Sequence, residues 1–161
     1  MGSIFAVEGQ RLYDLVRELK PKIIVEIGGF RGCSTSWLAQ GVKDNGFGKV
    51  ISIDNNEHHG YWSFLPNEYR KYVKCVIADA RTCKVPADID MVFEDGSHQE
   101  GFTALMAERF KPKKVWVSHD YNHNSEVGKN VRTDFDQAFG EPDEIFFEPP
   151  TDCGLAIKYM T

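Results

Sequence analysis

The chain has 161 residues, 42% of them hydrophobic and 27% charged, with 24 acids against 19 bases and a net charge of −5. That length suits one domain, 1–161, with a buried core, and the acidic balance argues against nucleic acid as a partner. No stretch approaches the roughly 18 uninterrupted apolar residues of a membrane span, and "MGSIFAVEG" lacks the basic-then-apolar start of a signal peptide.

The same segment misses the myristoylation pattern, because Ala6 stands where Ser or Thr is needed. The basic clusters Arg70/Lys71/Lys74 and Lys111/Lys113/Lys114 are short and flank apolar runs, as solvated faces do. Cys33, Cys75, Cys83 and Cys153 are scattered, with no C-x-x-C, so they are expected as reduced, mostly buried thiols of a cytoplasmic protein.

Leu12, Leu15, Val16 and Leu19 recur at helical spacing until Pro21 stops the helix. "KIIVEI" (22–27) is a β-branched run suited to a strand buried on both faces. A helix is expected over 34–40, with Gly41 placed to close it. "KVISID" (49–54) is a second strand, an irregular helix is expected within 55–71, and "YVKCVIAD" (72–79) is a third strand. Only about ten residues separate it from "IDMVFED" (89–95), fewer than a helical crossover uses, so a loop or single turn is expected there.

Phe102, Leu105, Met106 and Phe110 then mark an amphipathic helix, and "KVWVSHD" (114–120) is the fifth strand. Val127, Val131, Phe135 and Phe139 line a last helix despite Gly128. "EIFFE" (144–148) and "LAIKYM" (155–160), joined by "PPTDCG", predict an antiparallel hairpin. The fold class that follows is a doubly wound, Rossmann-like α/β sheet, mostly parallel, with an antiparallel C-terminal hairpin strand.

In such sheets ligands bind outside the carboxyl ends of the strands. Those ends carry Glu26 to Gly32, Asp54, Asp79, Asp95 and Asp120. E-x-G-x-x-x-G (Glu26, Gly28, Gly32) is not a P-loop, since no Lys-Ser/Thr follows, and Phe30 breaks G-x-G-x-x-G. It is either a tight turn or a backbone cradle, and the carboxylate beside it repels phosphate while suiting a cationic ligand. Asp54 is placed to accept both hydroxyls of a ribose, or else to close an Asx turn. Asp79-Ala80 can address an adenine amino edge.

"VEIGGFRGCSTSWLA", "ISID", "IADA", "FEDGSH" and "WVSHDYN", in that order, resemble class I S-adenosylmethionine-dependent methyltransferases. The narrower likeness is to macrolide-sugar O-methyltransferases and cephalosporin-hydroxylase-like proteins, over about residues 20–122. The resemblance implies that Glu26, Gly28, Gly29, Gly32 and Ser34 hold the methionyl part of the cofactor, Asp54 the ribose and Asp79 with Ala80 the adenine, with Asp95 at the same site. It implies transfer to a hydroxyl oxygen of a small molecule or sugar, with His98 as the base and Asp95 as a metal ligand.

The fifth strand departs from the pattern. Where metal-binding relatives present Glu-Asp, this chain has His119-Asp120. Asp95 and Asp120, with His119 or Asn122 as a third ligand, make a divalent metal ion conceivable but weaken Mg²⁺, which prefers oxygen. His123 and the stretch His58, His59, Tyr61 and Trp62 read as loop residues, the latter packed on the core. The rival readings are a cofactor-binding module without turnover and a nicotinamide-dependent oxidoreductase, with a nucleic-acid methylase less favoured. The acceptor surface is expected from the N-terminal helix, the segment after Asp54, residues 121–130 or a second subunit of a homo-oligomer.

Overall fold

The computed structural model describes residues 4–55 and 62–161, so His58, His59 and Tyr61 lie outside the described residues. Its elements are α1 (Ala6–Leu19), β1 (Ile23–Ile27), α2 (Cys33–Asn45), β2 (Lys49–Asp54), a short 3-10 helix (Asn67–Tyr72), β3 (Val73–Ile77), β4 (Met91–Glu94), α3 (Phe102–Arg109), β5 (Val115–His119), α4 (Glu126–Phe139), β6 (Glu144–Phe146) and β7 (Leu155–Tyr159). The strands form one seven-stranded sheet in the order β3-β2-β1-β4-β5-β7-β6. The pairs among β1 to β5 are parallel, and β7 runs antiparallel to both β5 and β6.

Alternation along the strands builds two cores, one on each face. Ile24, Val50, Phe93 and Val117 pack against Leu12, Leu15 and Val16 of α1 and Leu38 and Val42 of α2. Val25, Ile53, Val92 and Trp116 pack against Met106 of α3 and Val131 and Phe135 of α4. The central strands are therefore buried on both sides, which explains why β1 and β4 read as continuous apolar runs. Trp116, Phe93, Phe110 and Phe135 are fully enclosed, and each such side chain contributes about 1.5–3 kcal/mol.

Two sequence expectations change. The second helix does not close at Gly41 but runs to Asn45, with Gly46 in the left-handed region as its cap. The cysteines are free but none is buried, and Cys75 is exposed on the edge strand β3. The irregular helix expected within 55–71 is found, among the described residues, as a 3-10 helix at Asn67–Tyr72.

The short link from β3 to β4 is a turn, as expected. The Asp79 carbonyl accepts from the Thr82 and Cys83 amides. Arg109 of α3 pins it, donating to the Ala80 carbonyl at 3.0 Å and the Cys83 carbonyl at 2.6 Å. At this edge of the sheet Ile77 is 56% exposed.

Candidate functional site

The order β3-β2-β1-β4-β5 sets the carboxyl ends of five parallel strands side by side. Asp79, Asp54, the Gly28 loop, Asp95 and Asp120 thereby come to one edge of the sheet.

The loop after β1 is built from beneath. Parallel register pairs Glu26 with Ser52, so both point to the same face. The Glu26 carboxylate accepts from Ser34 Oγ, Thr35 Oγ1 and Ser52 Oγ, each at 2.5 Å. Trp62 Nε1 in turn donates to Ser52 Oγ at 2.9 Å. Glu26, expected at the methionyl end of the cofactor, is fully buried, and its carboxylate takes these three hydrogen bonds from β2 and the first turn of α2. Burial pushes its carboxyl up to about 7, against the pull of the three hydroxyls. Ser34, whose hydroxyl is engaged by Glu26, is nearly buried.

Above this support the loop is held through its own amides. Gly28 N donates to the Ile53 carbonyl at 2.8 Å, and Phe30 N to Asp54 Oδ2 at 2.9 Å. Gly28 has φ of +93°, and a Cβ there would lie 2.1 Å from the Asp95 carbonyl oxygen. Only glycine lets the loop pass so close to the end of β4. Gly28, Gly29, Phe30, Ser34 and Asp95 line one crevice, with Ile4 from the chain's N-terminal side. Gly32, at φ of +90°, starts α2. Asp79 turns onto Arg81, whose guanidinium and amide donate to its carboxylate and hold it below the usual range, while Ala80 is buried beside it.

The ends of β4 and β5 carry a denser cluster. His98 Nε2 lies 2.8 Å from Asp120 Oδ2 and 3.4 Å from Asp95 Oδ1. His119 is 3% exposed, with Nδ1 3.1 Å from Asp95 Oδ1 and Nε2 3.0 Å from Glu8 Oε2. Burial alone would depress both imidazoles, but the surrounding carboxylates outweigh it. His98 is pushed up to about 10, and His119 is raised well above its ordinary value. Burial would raise Asp95 and Asp120, yet the two histidines hold both below the usual carboxylate range. Beneath the cluster Glu94 is fully buried, accepts from Thr103 Oγ1 and Ser118 Oγ, and is raised by burial.

Asp95, His98 and Asp120 each offer a ligand atom within 4.8 Å of the others, as do His119, Asp120 and Cys153. In the second set both ring nitrogens of His119 already face carboxylates, so His98 is the freer imidazole. The sequence offered His119 or Asn122 for that place. His98 Nδ1 and Asn122 Oδ1 are buried with no hydrogen-bond partner among the described residues. The loop carrying Asn122 and His123 is fixed by Gly128, where a Cβ would fall 1.9 Å from the His123 carbonyl. That explains the glycine inside α4.

Residues 25–121 match the family model described as a methyltransferase domain. The chain belongs to this methyltransferase family. No curated protein matches its sequence. Among solved structures the methyltransferase resembles the O-methyltransferase TomG of Streptomyces achromogenes, involved in tomaymycin synthesis and in complex with S-adenosylmethionine, at 19% identity and a TM-score of 0.71, covering 99% of this chain and 82% of that one. It resembles an O-methyltransferase of Bacillus cereus in complex with S-adenosylhomocysteine at 18% identity and a TM-score of 0.68, covering 99% and 83%. A Podospora anserina methyltransferase bound to S-adenosylhomocysteine matches at 15% identity and a TM-score of 0.69, covering 100% and 80%. At such identities the likeness is one of fold. No helix among the described residues of the methyltransferase is long and apolar enough to cross a membrane.

Sequence reasoning missed Glu8, Thr151 and Glu94. An acid on an amphipathic helix and a threonine in a turn carry no local signal of burial, and Glu94 stood in the shadow of Asp95.

Proposed function

We propose that this methyltransferase domain, residues 1–161, transfers the methyl group of S-adenosylmethionine to a hydroxyl oxygen of a small molecule or sugar. The observation that carries the reading is one narrow crevice that joins the Gly28–Gly29 backbone to Asp95, so that the proposed cofactor loop and the acid-base cluster share a wall. The relatives bound to S-adenosylmethionine or its demethylated product support the cofactor.

The residues fit that cofactor. The loop offers bare backbone where a side chain would collide. Asp54, at the end of β2, stands beside it for the ribose, and the turn at Asp79 and Ala80 lies one strand further for the adenine. When bound, the cofactor supplies a methyl group activated by sulfonium charge. Glu26 acts from below, holding Ser34 and Thr35 and hence the start of α2, while Gly32 lets the chain enter that helix.

On the acceptor side His98 is the proposed base. Between Asp120 and Asp95 it holds its proton up to about pH 10, so it accepts an acceptor's proton only once the carboxylate charge around it is offset. In a metal-loaded site Asp95, His98 and Asp120 would instead be the ligands of a divalent cation, which would itself acidify the hydroxyl, with His98 no longer acting as the base. Two carboxylates and an imidazole suit Mn²⁺, Co²⁺ or Zn²⁺ better than Mg²⁺. The free cysteines fit a reducing compartment such as the cytoplasm.

Calorimetric titration with S-adenosylmethionine and S-adenosylhomocysteine, with NAD as control, tests the cofactor reading. Micromolar binding of the sulfur compounds, lost in Asp54→Ala, is expected. Preference for NAD, or no binding of either sulfur compound, overturns it. Release of S-adenosylhomocysteine in the presence of Mn²⁺ and a panel of hydroxyl compounds then tests turnover, and a panel without release by the wild type favours a binding module.

A further inference from the structure

Glu8 sits three residues into α1, far along the chain from the ends of β4 and β5, yet it is fully buried and reaches His119 beside the site. Its Oε2 accepts from His119 Nε2 at 3.0 Å and from the Phe5 amide at 3.1 Å. Its Oε1 accepts from Thr151 Oγ1 at 2.5 Å and from the Gly154 amide at 2.9 Å. Four donors from three separated segments converge on one carboxylate. An enclosed carboxylate costs several kcal/mol in desolvation even when paired, roughly what a well-packed apolar side chain would avoid. Stability alone therefore does not call for an acid here.

Its effect is on the His119 ring. A buried imidazole held at one nitrogen can turn, whereas one with a carboxylate at each nitrogen has a single orientation. Glu8 takes Nε2, so Nδ1 is aimed at Asp95 Oδ1, 3.1 Å away, with Asp120 Oδ1 at 3.4 Å. Asp95 and Asp120 are the two carboxylates that flank His98. Glu8 also caps its own helix through the Phe5 amide, next to Ile4 in the crevice wall. One side chain thus ties the N-terminal turn, the β6–β7 link and the β4–β5 cluster together.

We propose that Glu8 is a positioning residue: through the His119 ring it fixes the Asp95 carboxylate relative to His98 and Asp120. The coupling is a matter of geometry, and its bearing on methyl transfer rests on the function proposed above.

The test is the ring ¹⁵N and ¹H resonances of the histidines in the full chain at one pH, with His98 and His119 assigned by substitution. Glu8 does not touch His98, so a merely structural role leaves the His98 ring signals of a folded variant in place. Glu8→Gln is expected to move both the His119 and the His98 ring signals while the circular dichroism spectrum is retained. Thr151→Val, which removes another of Glu8's donors but leaves the His119 contact, is expected to lower Tm and leave the His98 signals unmoved. Should Glu8→Gln not fold, Glu8→Asp keeps the charge, shortens the reach and is expected to move the same signals. Unmoved His98 signals in whichever of these two variants folds overturn the proposal, as does an equal displacement in Thr151→Val. S-adenosylhomocysteine titration of the wild type, run in parallel, decides the functional reading separately, since the histidine signals do not depend on it.

Discussion

His98 Nε2 lies 2.8 Å from Asp120 Oδ2, and that contact raises the proton affinity of the proposed base. The pair joins the start of the α3 region to the end of β5, so acid-base behaviour and folding stability are linked through it.

Its folded value of about 10 exceeds the ordinary 6.5, so the stabilisation from His98 is fully present below about pH 6.5 and is lost as pH rises through about 10. Titration of the His98 ring by NMR is expected to give a midpoint well above neutrality, shifted down by Zn²⁺. A midpoint near 6.5 without metal would show that the carboxylates do not hold the proton.

Glu26 has the same sign for a different reason. Burial raises an acid from 4.5 to about 7, so folding is favoured while it is protonated, and that contribution is lost as pH rises from 4.5 through 7. Each tenfold change in a proton-binding constant is worth roughly 1.4 kcal/mol, so the loss is on the order of 3 kcal/mol. Urea unfolding of Glu26→Gln between pH 5 and about 7.5 is expected to flatten that slope. An unchanged slope would locate the pH dependence elsewhere.

Asp54→Ala is expected to weaken S-adenosylhomocysteine binding by roughly 10- to 100-fold, the loss of one charged hydrogen-bonding group at about 1.5–3 kcal/mol. The Phe30 amide also loses its acceptor. Asp79→Ala is expected to matter less, because its carboxylate is already engaged by Arg81. Calorimetry on both variants checks this, and a larger loss for Asp79→Ala would reverse the assignment along the pocket.

Gly28→Ala places a methyl group 2.1 Å from the Asp95 carbonyl at φ of +93°. A destabilisation of about 2–3 kcal/mol is expected, in the range of backbone strain with a collision. The surviving folded protein should also bind S-adenosylhomocysteine more weakly. Retention of wild-type Tm and affinity would mean that the loop and β4 are not in contact.

Much of the fold was legible because its signals are local. The β-branched runs of β1, β2 and β5, the helical spacing of Val127, Val131 and Phe135, and the short hairpin link each state their element within a few residues. Gly41 misled because a glycine inside a helix looks the same in sequence as one that ends it. Here Gly41 faces Val16 of α1, a close approach that only the packed pair of helices makes visible.

The candidate site divides along the same line. The sequence alone determined the α/β class, the glycine loop and the acids closing the parallel strands, since each follows from residue type and spacing. Only the tertiary structure decided which way those acids point. Glu26 turned inward because parallel register put Ser52 beside it and α2 presented two more hydroxyls. His119 became a fixed link because α1 and the β6–β7 link brought Glu8 and Thr151 from opposite ends of the chain. Burial and partner choice arise from contacts between distant segments, and no local pattern records them.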